Sequence, residues 1–322
     1  LDGVAIEGSI ATGNLVYGNF VGTDLTGNQD LGNKEFGILI QGAPTNHIGG
    51  SGAGEGNVIS GNDLSGVQIR DAAATGNKVR GNAIGTNFGR NTDLGNSQNG
   101  VHILNAPGNT LGGLTISERN IISANDFSGV AIEGSTATSN LVQGNFIGTQ
   151  SNGTSPLGNS KHGVTFSASA SNNTVGGTSN GAGNTIGFNG QDGVSVLSGT
   201  GNAILANPIF LNTELGIDLD PDGVTPNDSD NPATPAVDPD SDTGANNLQN
   251  FPVKTLSPSG AIEGKLYSTP DTDFRIDFFS NTGCDPSGSG EGRDFVSSMM
   301  VKTLANGEAT FALPAVSNIT AT

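Results

Sequence analysis

The sequence predicts an all-β chain wound as a three-sided coil and followed by a smaller antiparallel unit, on three observations. The first is a repeat. Glycine followed by hydrophobic-x-hydrophobic opens at Gly3-Val4-Ala5-Ile6, Gly37-Ile38-Leu39-Ile40, Gly66-Val67-Gln68-Ile69, Gly100-Val101-His102-Ile103, Gly129-Val130-Ala131-Ile132, Gly163-Val164-Thr165-Phe166 and Gly193-Val194-Ser195-Val196. The gaps between opening glycines are 34, 29, 34, 29, 34 and 30 residues. Self-similarity at such a period marks stacked supersecondary units.

The second observation is a pair of asparagine columns. Asn14, Asn46, Asn77, Asn109, Asn140, Asn173 and Asn202 form one; Asn19, Asn57, Asn82, Asn120, Asn145, Asn184 and Asn207 form the other. Each Asn precedes an apolar residue by two positions, as in Asn77-Lys78-Val79 and Asn82-Ala83-Ile84. The third is that every repeat then holds three short segments of period-2 alternation separated by Gly/Asn corners, too short and too glycine-rich for helix. Three strands per turn, each stacked on its equivalent about 4.8 Å away, make a right-handed parallel β-helix. Val4, Ile6, Ile38, Ile40, Val67 and Ile69 point inward. The Asn columns read as ladders whose amides bond from coil to coil.

The seventh coil, Gly193 to Gly216, shows the unit without insertion. Odd-numbered coils before it carry extra residues after the third strand, at Asp24 to Phe36, Asn87 to Asn99 and Gln150 to His162. Even-numbered coils carry a shorter insertion between their second and third strands, at Ser51 to Gly56, Leu114 to Arg119 and Thr178 to Gly183. Insertions in solenoids project as loops and often form a binding face. The odd-coil loops share Leu-Gly-Asn at 31–33, 94–96 and 157–159 but differ at Asp24, Asn87 and Gln150, and at Asp30, Asp93 and Pro156. That variation suits ligand contact or plain structure, and plain structure is favoured. An eighth coil opens at Gly216-Ile217-Asp218-Leu219 and stops.

Three domains follow: a β-helix over 1–219, an acidic Asp/Pro-rich linker over 220–250, and a β-sandwich module over 251–322. In the last, Ala261 to Ser268, Asp273 to Ser280, Asp294 to Thr303 and Glu308 to Leu313 alternate as antiparallel strands. The register at Leu1-Asp2-Gly3 and the strand-like Ile319-Thr320-Ala321 are expected to continue in a longer polypeptide, or to be covered by a neighbouring subunit in a filament.

Composition narrows the function. Glycine accounts for 51 of 322 residues without a Gly-X-Y period, and the formal charge is −18. A chain so acidic repels nucleic acid, anionic lipid and polyanionic polysaccharide. Fourteen Phe, two Tyr and no Trp leave an aliphatic core. No apolar stretch is long enough to span a membrane. The single Cys284 excludes an internal disulfide framework.

Units such as Asn77 to Thr86 and Asn140 to Thr149, of the form Asn-x-Val-x-Gly-Asn-x-Ile-Gly-Thr, make residues 1–219 resemble the bacterial parallel β-helix repeat proteins of the pectate-lyase-like superfamily. The tail, through Leu248-Gln249-Asn250-Phe251-Pro252-Val253 and Phe274-Arg275-Ile276-Asp277-Phe278-Phe279, resembles a module that follows such helices in large secreted or cell-surface proteins. The resemblance implies an extracellular or cell-surface setting and roles in adhesion, envelope structure or carbohydrate binding. The partners it implies are extracellular polysaccharide or neighbouring surface-protein chains, with a homo-oligomer or filament as one form of assembly. The superfamily also holds polysaccharide lyases, hydrolases and epimerases, so fold alone does not decide between scaffold and enzyme.

No catalytic set is legible. The chain has no Asp-Asp pair, and Asp-Pro at 220, 238 and 285 is followed by Asp222, Asp240 and Ser287 rather than His. Arg70, Lys78 and Arg80 read as solvated charges, and His47, His102 and His162 fall in different columns. A polysaccharide-processing enzyme would need two carboxylates and a cation converging on one face of the coil. One constellation points to a metal. Asp218-Leu219-Asp220-Pro221-Asp222-Gly223 and Asp238-Pro239-Asp240-Ser241-Asp242-Thr243-Gly244 place carboxylates at alternate positions before a glycine, as calcium loops do. The expected Ca²⁺ ligands are Asp220, Asp222, Asp228, Asp230, Asp238, Asp240 and Asp242. Neither loop has the Glu at the twelfth position of an EF-hand, and a solvated acidic linker is the alternative.

Overall fold

A computed structural model describes residues 1–227, 242–256, 262–283, 291–313 and 319–321. Three parallel sheets form the walls of the coil, in eight, seven and seven strands stacked in chain order. The first sheet collects the strands that open each repeat, from Val4–Glu7 through Val101–Leu104 to Ile217–Leu219. The second runs from Leu15–Val16 to Ala203–Leu205, and the third from Phe20–Val21 to Ile209–Phe210. Seven coils and one partial strand match the sequence expectation, in a register without slips: Val67 faces Val101, Ile69 faces Ile103, and so along the stack.

The inward positions of the inner coils are fully buried, among them Ile38, Ile40, Val79, Leu111, Ile122 and Ile147, and those of the end coils partly so. A bulky Phe166 sits between Ile132 and the smaller Val196, so volume lost in one coil is recovered in the next. Ala43, Ala74, Ala106, Ala137 and Ala170 fill the corner after the first sheet and are buried in the same core.

Both asparagine columns are ladders. Asn109 Oδ1 accepts the main-chain N–H and the side-chain amide of Asn77, each at 3.0 Å, and Asn109 N donates to Asn140 Oδ1 at 2.9 Å. A third ladder, absent from the sequence reading, runs through Asn33, Asn62, Asn96, Asn125, Asn159, Asn189 and Asn212 at the corner before the first sheet. Each corner of the coil thus carries its own column of amides.

The third ladder corrects the extent of the odd-coil insertions. They close when the chain rejoins the coil at Asn33, Asn96 and Asn159, short of Phe36, Asn99 and His162. Each insertion is pinned by an antiparallel bridge, Thr23 with Asp30, Thr86 with Asp93 and Thr149 with Pro156. Successive insertions also bond to one another across the intervening coil: Phe88 N donates to Gly27 O at 2.8 Å and Ser151 N to Arg90 O at 3.2 Å. They form a stitched ridge rather than separate fingers.

The C-terminal module has two three-stranded antiparallel sheets. One holds Val253–Leu256, Ile262–Tyr267 and Glu308–Leu313; the other holds Asp294–Lys302, Asp273–Ser280 and Ile319–Ala321. Ile262, Leu266 and Phe311 from the first pack with Ile276, Phe278 and Val301 from the second in a separate core.

Candidate functional site

Side chains at the second position of each opening strand project outward from the first sheet. The register brings Leu39, Gln68, His102, Ala131, Thr165, Ser195 and Asp218 into one column. A parallel column holds Gln41, Arg70, Leu104, Glu133 and Ser167. On the other side lie Phe36, Ser65, Asn99, Ser128, His162 and Asp192, whose carbonyls accept successive opening amides or lie in step with them.

Buried polar atoms in folded proteins nearly always have partners, so the exceptions are informative. Seven buried side-chain nitrogens and oxygens lack a hydrogen bond among the described residues, and six belong to this face: Ser65 Oγ, Gln68 Nε2, Arg70 Nε, His162 Nδ1, Thr165 Oγ1 and Asp218 Oδ1. The polar contacts that do form there run between coils. Arg70 Nη2 donates to Gln41 Oε1 at 2.7 Å, and His102 Nε2 lies 3.1 Å from Glu133 Oε2. At the rim Lys161 Nζ sits 4.1 Å from the centre of the exposed Phe127 ring.

The end of the face nearest the C-terminal module is acidic. His162 Nδ1 and Asp192 Oδ2 are 3.0 Å apart, an ion-pair contact that is not aligned as a hydrogen bond, and Asp192 Oδ1 accepts Leu215 N at 2.9 Å. In the next coil Asp218, 3% exposed, is pushed up to about 7 by burial and then by the charges of Asp192 and Asp222, against the pull of the Gly223 amide and His162. Glu214 is raised in the same way, by burial first and then by Asp192 and Asp222. His102 is held below its ordinary value because burial outweighs Glu133.

Asp218 makes stability depend on pH. An unfolded aspartate releases its proton near 3.8, whereas native Asp218 keeps it to about 7, so the native chain binds the extra proton between those values. The stabilisation is complete below about pH 4 and is lost as pH rises to about 7. Asp218→Asn is expected to flatten that slope and to raise stability at pH 8 by about 1–2 kcal/mol after solvent screening. Urea midpoints from pH 4 to 8 measure it, and an unchanged slope would refute the assignment.

The sequence-predicted residues fare differently. Of the proposed calcium ligands, Asp220, Asp222 and Asp242 are described, while Asp228, Asp230, Asp238 and Asp240 lie outside the described residues, as does Cys284. Among the described residues no three His, Cys, Asp or Glu side chains are grouped to hold an ion. The histidines do occupy different columns, yet His102 and His162 each gain a carboxylate from the following coil, which sequence spacing alone does not reveal. Arg80 is not a free solvated charge: it pairs with Glu118 at 2.9 Å, both largely buried.

The insertion tips are occupied by their own folding. Asp24 Oδ1 accepts Asn28 N and Gln29 N; Asn87 Oδ1 accepts Asn91 N and Thr92 N. Where Gln150 replaces them, Asn152 Oδ1 accepts Thr154 N and Ser155 N instead. Glu55 and Glu118 close the even-coil insertions on Gly52 N and Thr115 N. The variation between loops is an exchange of turn-closing acceptors.

No helix is long and apolar enough to cross a membrane among the described residues. The chain matches no protein-family model and no curated protein, so a functional reading rests on the geometry of this face.

Proposed function

We propose that the chain is an extracellular, structural and adhesive β-solenoid that holds an extended, neutral, hydroxyl-rich glycan along the outer face of its first sheet. The observation that carries this reading is the run of partly exposed polar side chains along that one face, Gln41, Arg70, His102, Glu133, Thr165 and Ser167. Their amide, guanidinium, imidazole, carboxylate and hydroxyl groups can meet a hydroxyl or a bridging water, and the sheet repeats that capacity coil after coil. Exposed Phe127 offers an apolar ring at the rim. The formal charge of −18 and the Asp192, Asp218, Asp222 and Glu214 cluster disfavour a polyuronate. The stitched ridge of insertions has fewer groups to offer, because its polar tips are closed on themselves.

A glycan array followed by titration calorimetry tests this. Neutral polysaccharides are expected to bind and polyuronates not, with His102→Ala and Thr165→Val together weakening binding about tenfold, the size of one or two hydrogen bonds. Binding unaffected by these changes, or confined to polyuronates, would remove the assignment.

A second reading, cleavage of the bound glycan, is favoured by one observation. Asp218 retains a proton to about pH 7 next to the charge of Asp192, the division of roles that inverting hydrolysis needs between general acid and general base. Reducing ends released from a neutral polysaccharide, lost in both Asp218→Asn and Asp192→Asn and declining above about pH 7, would establish it. Binding without release leaves the scaffold reading.

The acidic stretch carries a separate proposal, calcium held by Asp220, Asp222, Asp228, Asp230, Asp238, Asp240 and Asp242 between the coil and the module. Heat on titration at millimolar Ca²⁺ and a thermal midpoint lowered by chelator are the expected results. No heat and an unmoved midpoint would refute it.

A further inference from the structure

A solenoid's last coil presents unpaired strand edges, open amide ladders and the end of an apolar core, a template for another chain. In this protein several of those features meet a group from the C-terminal part of the chain. Ala245, buried in a short 3₁₀ segment over Ala245–Leu248, joins the main core, and Leu248 packs beside it over the end of the coil. Gly292 O accepts Ile209 N at 2.7 Å, in a single antiparallel bridge where a further strand of the third sheet would run. Asp277 Oδ2 accepts Ala206 N at 2.8 Å, just past the last strand of the second sheet.

The ladder ends show how propagation stops. Every internal rung accepts from the coil before it and donates to the coil after it. Glu291 Oε1 takes both Asn212 donors, N at 3.0 Å and Nδ2 at 2.9 Å, but a glutamate side chain lacks the amide NH2 that hands each ladder on to the next coil. Asn246 ends the first ladder another way: its Oδ1 accepts Asn202 N at 3.0 Å and its Nδ2 turns back to Asn202 O at 2.7 Å. Both groups complete the last rung and leave no outgoing donor in line.

We propose that the C-terminal part of the chain, the 245–248 segment together with the module, is the terminator of the solenoid, closing two of its ladders and covering the end of its core so that the last coil does not pair with a second copy of this chain. This is independent of what the first sheet binds. The glycan face can fail its test while the terminator stands, and the reverse.

The test uses the full chain with Glu291→Ala and Asn246→Ala combined, and separately the conservative Glu291→Gln. Hydrogen exchange in the double variant is expected to quicken at least tenfold over residues 202–219, with the 262–267 and 273–280 strands unchanged. Sedimentation is expected to show more association than wild type, with cross-links between last coils. Glu291→Gln, which keeps one acceptor for Asn212, falls between. Unchanged exchange over 202–219 would overturn the proposal, as would loss of protection spread evenly through coil and module. A deprotected last coil that associates no more than wild type would overturn the barrier to pairing.

Discussion

Asn96→Leu is expected to lower stability by about 2–5 kcal/mol, although sequence alone places Asn96 in a loop. Asn96 Oδ1 accepts both Asn62 N, at 3.2 Å, and Asn62 Nδ2, at 2.7 Å. Both residues are fully buried, so no water replaces the lost acceptor, and each orphaned donor costs about 1–3 kcal/mol. The leucine side chain also needs room in a corner filled by stacked amides. Asn28, in the exposed part of the preceding odd-coil insertion, provides the contrast: Asn28→Ala is expected to change stability by about 0.5 kcal/mol or less. Denaturant midpoints for the two variants measure the difference, and similar midpoints would mean that the third ladder adds nothing.

That ladder was legible in principle. Asn33, Asn62, Asn96, Asn125, Asn159, Asn189 and Asn212 each lie four residues before an opening glycine. Counting forward from the third strand hides the column, because insertions enter in alternate coils and shift it; counting backward from the next glycine recovers it. The walls of the coil were readable for the opposite reason. Val and Ile at period 2 between fixed Gly and Asn corners leave only one register in which every apolar side chain points inward. The outer face was much less accessible. His162 and Asp192 each precede an opening glycine, but Glu214 and Asp218 sit at other offsets in the next coil, and only the stacking makes neighbours of the four. The capping residues Asn246, Asp277 and Glu291 lie farther still in sequence from the rungs they close, and carry no periodic mark.

The opening glycines yield the second large effect. Gly100→Ala is expected to destabilise by about 3–5 kcal/mol, more than the usual overpacking cost, because little around it can yield. A methyl at Gly100 would meet the Gly129 carbonyl oxygen at 2.7 Å and Asn125 Nδ2 at 2.8 Å, with the Ile122 side chain closer still. Two of these are a sheet hydrogen-bond acceptor and a ladder rung: Gly129 O accepts Val101 N at 2.9 Å, and Asn125 Oδ1 accepts Asn96 Nδ2 at 2.9 Å. Relieving the clash would pry coils apart at that corner. It would also shift the strand Val101–Leu104, which carries His102 on the outer face, so glycan binding is expected to weaken along with stability. Gly108 separates the two reasons for glycine in this chain. Its φ of +68° suits glycine, but a methyl there meets nothing within 4 Å, so Gly108→Ala is expected to cost only about 1–2 kcal/mol of backbone strain. Thermal and denaturant midpoints of the two variants decide the matter. A loss at Gly100 no larger than at Gly108 would mean that the corner yields to a methyl, and that the close approach of successive coils does not require glycine at the head of every repeat.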